Sequence, residues 1–149
     1  MQDIKQFCLD SLQDYETNAM QSKTSKPRIT QSWLNLSRKG QWHHQHSHPN
    51  SLWSGVFYVE AEESDRIVFH RSLLPGGSFQ LETQEFNTAN STTWWIQSRP
   101  NTLLIFPSTL QHSVPPTKAE QRISLSFNTF PTATIGQPES LTELLLGND

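Results

Sequence analysis

The chain has 149 residues and a net charge of −3 with neutral histidines, which is enough for one ordinary domain. This charge excludes nucleic-acid binding driven by a basic surface, and no apolar run is long enough to span a membrane. The single cysteine, Cys8, excludes an internal disulfide, and the N-terminus carries no secretion signal, so we expect a cytoplasmic protein.

The first twenty residues predict an amphipathic helix, because Ile4, Phe7, Cys8, Leu12 and Tyr15 recur at steps of three and four residues. Beyond the helix, alternation of apolar and polar residues and enrichment in aromatic and β-branched residues predict strands. One helix followed by several short strands favours a β-sandwich or barrel. We therefore predict a single domain over 1–149, with a β core over 28–130. The predicted strands are 29–37, 52–60, 66–71, 93–97, 102–106 and 122–128, and a short C-terminal helix is predicted over 139–146.

Histidines are concentrated just before the second predicted strand, where His43, His44, His46 and His48 lie within six residues. His46 and His48 are two residues apart, so on an extended chain their side chains leave the same face. A third ligand from a distant strand, such as His112, would complete a facial metal site with positions open for substrate and O₂. Two other interpretations remain open here. The cluster could be a solvated loop, and His112 a hydrogen-bonded structural residue.

Arg122 begins an alternating strand ten residues after His112. A buried arginine must be paired, because its charge cannot be lost at any ordinary pH. Its planar fork is suited to grip a carboxylate through two hydrogen bonds. The alternative is that Arg122 lies at the end of the strand and points to solvent.

Five segments taken together resemble a known family. The chain is similar to a small family of 2-oxoglutarate- and Fe(II)-dependent oxygenases that is related to the prolyl hydroxylases and occurs in bacteria and their phages. The resemblance covers about residues 31 to 130. It implies a mainly β, cupin-like double-stranded β-helix, or jelly roll, with iron at one mouth. The segments are Gly40-Gln41-Trp42, His46-Ser47-His48-Pro49-Asn50, Ser54-Gly55-Val56-Phe57-Tyr58-Val59, Phe106-Pro107-Ser108 with His112, and Arg122-Ile123-Ser124-Leu125-Ser126-Phe127-Asn128.

The resemblance implies a role for particular residues. His46 matches the first metal ligand and His112 the distal one, while Arg122 matches the residue that holds the distal carboxylate of 2-oxoglutarate. Most of the superfamily has a carboxylate where this chain has His48, although the small family commonly shows histidine there. A tyrosine that helps to bind 2-oxoglutarate in prolyl hydroxylases falls at Ser37. The residues that could replace its hydrogen bond are Asn35, Tyr58, Ser124 and Asn128.

The function implied is an Fe(II)- and 2-oxoglutarate-dependent dioxygenase that uses O₂, hydroxylates an unknown substrate and releases succinate and CO₂. Kinship with prolyl hydroxylases suggests a peptidyl side chain as the substrate. We expect the middle of the chain, residues 73–98, to supply a substrate lid. The alternatives are a cupin-like three-histidine dioxygenase that does not use 2-oxoglutarate, and a non-catalytic jelly-roll binding module with a metal site. We expect no nucleic-acid or membrane partner, a homodimer formed through exposed strand edges, and a location in the cytoplasm of a bacterium or a phage-infected host.

Overall fold

The computed structural model describes residues 2–23, 26–71, 82–132 and 134–146. An N-terminal helix, α1, spans Gln2–Asp14 and continues into a π-helical turn over Tyr15–Ala19, as the amphipathic pattern predicts. Every strand predicted from the sequence is present. The strands are β1 (Pro27–Arg38), β2 (His43–His46), β3 (Trp53–Glu60), β4 (Arg66–His70), β5 (Thr93–Gln97), β6 (Thr102–Pro107), β7 (Gln111–Val114) and β8 (Gln121–Pro131).

The strands form two antiparallel four-stranded sheets. The first sheet has the order β1-β8-β3-β6, and the second has the order β2-β7-β4-β5. The long strands β1 and β8 pair along almost their whole length, from Pro27 opposite Pro131 to Arg38 opposite Gln121. This is the mainly β, jelly-roll architecture that the resemblance implies, and that prediction is confirmed.

The core has two layers because strand side chains alternate between the two faces of a sheet. Val56 and Tyr58 on β3 pack between the sheets, together with Ile67 and Phe106. The intervening residue of β3, Phe57, belongs to a second cluster with Cys8 and Phe127, which joins α1 to the outer face of the first sheet. Burial of this apolar stripe on both faces of β3 fixes the helix and the two sheets relative to one another.

A buried hydrogen bond also anchors the π-helical turn. The indole Nε1 of Trp53 donates to Glu16 Oε1 at 2.8 Å, and the ring of Tyr15 lies edge-on to Trp53 with centroids 5.1 Å apart. The insertion of one extra residue in this last turn places the Glu16 side chain in the interior, where it is 1% exposed.

The C-terminal helix predicted over 139–146 is wrong. A single 3₁₀ turn over Pro138–Ser140 ends at Leu141, which adopts a left-handed conformation with φ of 55°. Leu144 then forms an isolated β-bridge with Ile135. The leucines that suggested a helix have no core to pack against, since Leu141 is 95% exposed, and a short helix without such packing is unstable in water.

Two other predictions concern the surface. Residues 73–81 of the predicted lid lie outside the described residues, and the rest of that segment comprises an irregular stretch followed by β5. Among the described residues, no helix combines the length and the apolar character that crossing a membrane would need.

Candidate metal centre

Three histidines predicted as metal ligands converge at one end of the space between the sheets. His46 on β2 lies directly opposite His112 on β7, and their ring centroids are 4.4 Å apart. The ring of His48 lies 5.1 Å from each of them. One ring nitrogen from each residue lies within 4.8 Å of the other two. Three nitrogen donors at such mutual distances can approach a single ion of suitable size.

Strand pairing positions two of the three rings, and a buried hydroxyl cluster positions the third. Strand β2 ends at His46, so no ladder of strand hydrogen bonds holds His48. Instead the backbone N–H of His48 donates to the carbonyl oxygen of Ser108 at 2.9 Å. The hydroxyl of Ser108 lies 2.7 Å from that of Ser51 and 2.8 Å from that of Ser54. These contacts tether the His48 segment to the end of β6.

Hydrogen bonds to backbone carbonyls fix which ring nitrogen is free in two of the histidines. Nδ1 of His46 lies 2.7 Å from the carbonyl oxygen of His44, and Nδ1 of His112 lies 3.0 Å from that of Leu110. A carbonyl oxygen can only accept, so Nδ1 carries the proton in both rings. Their Nε2 atoms therefore keep a lone pair for a metal, which is the usual arrangement of histidine ligands.

Burial favours the neutral imidazole in two of these histidines. Burial lowers the pKa of His112 to about 4, and the neighbouring His46 and His48 contribute to that lowering. Burial also lowers the pKa of His48, again with a contribution from His46. Metal binding requires the neutral imidazole, so these rings are ready to bind a metal at neutral pH without losing a proton.

Aromatic rings surround the three histidines. The ring of His112 lies 4.9 Å from that of Phe106 and 6.2 Å from that of Phe69, while Trp33 lies 5.7 Å from His48. Phe69 occupies the position directly opposite His112 on the neighbouring strand β4. These apolar rings restrict water around the donors and hold the imidazoles in place.

Arg122 lies in the same cavity as the histidines, and its side chain does not point to solvent. The residue is only 3% exposed and lines a cavity of about 70 Å³ together with His46, His48 and His112. Its Nη2 donates to the hydroxyl of Ser37 at 3.1 Å, whereas its buried Nη1 has no hydrogen-bond partner in the part of the chain that the structure describes. Burial lowers the pKa of Arg122, and the nearby carboxylate of Asp65 opposes that effect.

Three of the four residues proposed to assist Arg122 also line this cavity, namely Asn35, Tyr58 and Ser124. Burial raises the pKa of Tyr58, so its hydroxyl stays protonated and can donate a hydrogen bond. Asn128 is not among the lining residues. Its side-chain oxygen accepts from Ser54 at 2.9 Å and its amide nitrogen donates to Gln31 at 3.3 Å.

Two further residues, one lining the cavity and one beside it, were not among the predicted site residues. His43 lines it, and burial together with the charge of Arg122 lowers its pKa. Asp65 lies 3.7 Å from Arg122 at the turn between β3 and β4 and is only 3% exposed. Its position within Glu62-Glu63-Ser64-Asp65 gave no signal, because such a polar run is typical of a solvated turn.

The donor set fits a first-row transition metal. Imidazole suits iron, zinc, copper and nickel, and a facial set of three protein ligands leaves positions for other molecules. The buried Nη1 of Arg122 lacks a hydrogen-bond partner among the described residues, and a buried cationic donor in that state is suited to an anionic ligand. The cavity thus combines a metal-binding end with an anion-binding end.

Comparisons with known proteins identify a family and a shared fold. A family model described as "Putative 2OG-Fe(II) oxygenase" matches residues 31–128. An oxidoreductase of the 2OG-Fe(II) oxygenase family from Burkholderia pseudomallei is similar in structure, with a TM-score of 0.57 and 14% identity over 80% of this chain and 55% of that one. A prolyl-4-hydroxylase from Pseudomonas putida gives a TM-score of 0.50 and 14% identity over 80% of this chain and 62% of that one.

A third structure, apo HygX from Streptomyces hygroscopicus, gives a TM-score of 0.51 with 14% identity and covers 85% of this chain and 68% of its own length. At this identity the likeness shows the shared fold. The chain spans little more than half the length of the Burkholderia protein, at 55%. No curated protein is similar enough in sequence to count as a relative.

Proposed function

The chain belongs to the 2OG-Fe(II) oxygenase family, and from that premise we propose that it is a 2-oxoglutarate-dependent dioxygenase whose metal is held by His46, His48 and His112. One observation carries the proposal: three converging imidazoles and a buried guanidinium line a single cavity. A metal site alone would not need the arginine, and an anion site alone would not need the histidines.

The histidines would hold Fe(II) through nitrogen lone pairs that the structure leaves free. Hydrogen bonds from Nδ1 to backbone carbonyls orient His46 and His112, and Ser108 restrains the backbone of His48. When bound, Fe(II), 2-oxoglutarate and O₂ would supply the oxidative chemistry that yields succinate, CO₂ and a hydroxylated substrate. The protein contributes position, burial and a water-poor aromatic wall.

Arg122 would hold the distal carboxylate of 2-oxoglutarate. Within the described part of the chain its buried Nη1 has no hydrogen-bond partner, so an incoming carboxylate oxygen would accept from a donor that is otherwise unsatisfied. Hydrogen bonds between charged partners are roughly twice as strong as neutral ones. The hydroxyl of Ser37 fixes the other terminal nitrogen, Nη2, and so pre-orients the guanidinium. Tyr58, Asn35 and Ser124 are the further donors that could reach the cosubstrate.

An anaerobic titration tests this proposal. The protein is loaded with Fe(II), 2-oxoglutarate is added, and the weak visible charge-transfer band of a chelated keto acid is followed. We expect the band to saturate in the wild type and to require far more 2-oxoglutarate in Arg122→Ala, with Fe(II) affinity unchanged. Arg38→Ala removes an exposed arginine from the same pair of strands and is the matched control. Identical titration curves for Arg122→Ala and wild type would refute the assignment of Arg122.

Turnover separates the proposal from its alternatives. Succinate formation under O₂ that depends on Fe(II) supports it. A three-histidine dioxygenase of another type would consume O₂ without succinate, and a binding module would do neither. We propose to test peptides first as substrates, because one structural neighbour is a prolyl-4-hydroxylase. The peptidyl substrate, the homodimer and the cytoplasmic location stay predictions.

A further inference from the structure

Asp65 places a second buried charge beside the candidate cosubstrate site. Its Oδ1 lies 3.7 Å from Nη1 of Arg122, and both side chains are almost wholly buried, at 1% and 4% exposed. That distance exceeds a hydrogen bond, and no described residue forms a hydrogen bond with Nη1. Asp65 therefore balances the charge of Arg122 without occupying its hydrogen-bonding capacity.

The turn that carries Asp65 fixes its carboxylate. Oδ2 accepts from the backbone N–H of Glu62 at 3.0 Å, and the Asp65 carbonyl accepts from the backbone N–H of Ser98 at 2.9 Å. The Asp65 N–H in turn donates to the Glu62 carbonyl at 3.0 Å. One hydrogen bond therefore restrains the carboxylate and two restrain the backbone that carries it, so the charge of Asp65 stays close to Arg122 when another anion binds there.

The metal-binding end lacks the negative charge that such sites usually have. The common non-haem Fe(II) set has two histidines and one carboxylate, whereas the three residues here are neutral imidazoles. A divalent ion and a doubly negative 2-oxoglutarate cancel, so Arg122 by itself would leave one uncompensated positive charge in a buried cavity. Burying an unpaired charge is costly. The negative charge of Asp65 brings the net charge of the loaded cavity to zero.

We propose that Asp65 is a positioning residue that sets the charge of the cavity, in place of the carboxylate that His48 replaces at the metal end. This inference rests on the proposed function for its account of the loaded cavity. The interaction between the charges of Asp65 and Arg122 does not depend on that function. Asp65 restrains the affinity of Arg122 for anions, so that the metal-free protein does not retain any small carboxylate it meets.

The test uses the full chain without metal and formate as the probe. Thermal unfolding is followed over a formate series for wild type, Asp65→Asn and the control Glu63→Gln, which removes an exposed carboxylate from the same turn. Without formate, we expect Asp65→Asn to melt on the order of 10 °C below wild type, because Arg122 has lost its buried partner. Formate should restore much of this loss, with an apparent affinity on the order of tenfold tighter than in wild type.

A purely structural role for Asp65 would lower the melting temperature but leave the formate affinity unchanged, and that result would overturn the inference. Asp65→Glu keeps the charge and should retain the wild-type formate affinity even if it is less stable. Should Asp65→Asn fail to fold, the double variant Arg122→Gln/Asp65→Asn removes both charges and should fold. Failure of that variant as well would count against charge balance as the role of Asp65.

The two proposals fail separately. If wild type binds Fe(II) and 2-oxoglutarate but Asp65→Asn shows wild-type formate affinity, the dioxygenase proposal stands and the inference about Asp65 is wrong. If wild type shows no 2-oxoglutarate-dependent band while Asp65→Asn gains formate affinity, the coupling between Asp65 and Arg122 is real and the dioxygenase proposal is wrong.

Discussion

The metal-free protein should lose stability in mild acid, because His112 is buried as a neutral ring and takes up a proton more readily when the chain unfolds. Its pKa is about 4 in the folded protein, against about 6.5 when exposed. Between these two values the unfolded chain binds more protons than the folded chain, so the free energy of unfolding rises with pH there. The contribution is complete above pH 6.5 and is lost progressively as the pH falls towards 4. This pKa difference contributes at most about 3 kcal/mol to the free energy of unfolding. Of that contribution, about 2 kcal/mol is lost between pH 7 and 4.5.

Urea unfolding in the presence of a chelator at several values between pH 7 and 4.5 measures this loss. The comparison is between wild type, His112→Gln and the control His44→Gln, which alters an exposed histidine. We expect His112→Gln to be less stable at pH 7 and its pH profile to be flatter than that of wild type by about 2 kcal/mol. His48 contributes in the same direction, because burial lowers its pKa too, so some slope should remain. Parallel profiles for wild type and His112→Gln would contradict the assignment of a buried neutral ring.

Two substitutions test the packing and the tether that support the site. Gly55→Ala should lower the free energy of unfolding in urea by about 1–3 kcal/mol or more. The added Cβ would lie 2.1 Å from the ring of Phe127, which is 1% exposed. Stability equal to wild type would show that the ring is free to move. Ser108→Ala should weaken Zn²⁺ or Ni²⁺ binding on the order of tenfold by calorimetry, because Ser51 and Ser54 lose the hydroxyl that holds the His48 tether in place. An unchanged metal affinity would show that the backbone bond to His48 suffices.

Most of the fold could be predicted because its strands follow the period of two closely. β8 alternates Ile123, Leu125 and Phe127 with polar residues, and the structure pairs it on both sides in the centre of the first sheet. Strand β7 was not predicted as a strand, because Gln111–Val114 is only four residues long and three of them are polar. The C-terminal leucines show the opposite error. Their helical spacing is real, but no apolar surface covers them, and spacing alone does not supply that surface.

The candidate site could be predicted only where residue type and spacing indicate metal binding. His-x-His spacing and a distant histidine do so, and the three rings converge. No such pattern indicates Asp65, because its position beside Arg122 results from a turn that folds its carboxylate inward. Asn128 shows why alternation is insufficient. It shares the strand parity of Ser124, but its side chain is engaged by Ser54 and Gln31 and does not line the cavity.

The two ends of the cavity belong to different sheets, and this division explains why His48 matters beyond its ring nitrogen. His46 and His112 lie on paired strands of the second sheet, so their separation is fixed by strand register. Arg122 lies on β8 of the first sheet. His48 follows β2 of the second sheet but is tethered through Ser108 to the end of β6 in the first. Binding of a molecule that bridges both ends of the cavity therefore depends on how the two sheets pack. Of the three candidate metal ligands, His48 is the one whose position depends directly on that packing, through its hydrogen bond to Ser108.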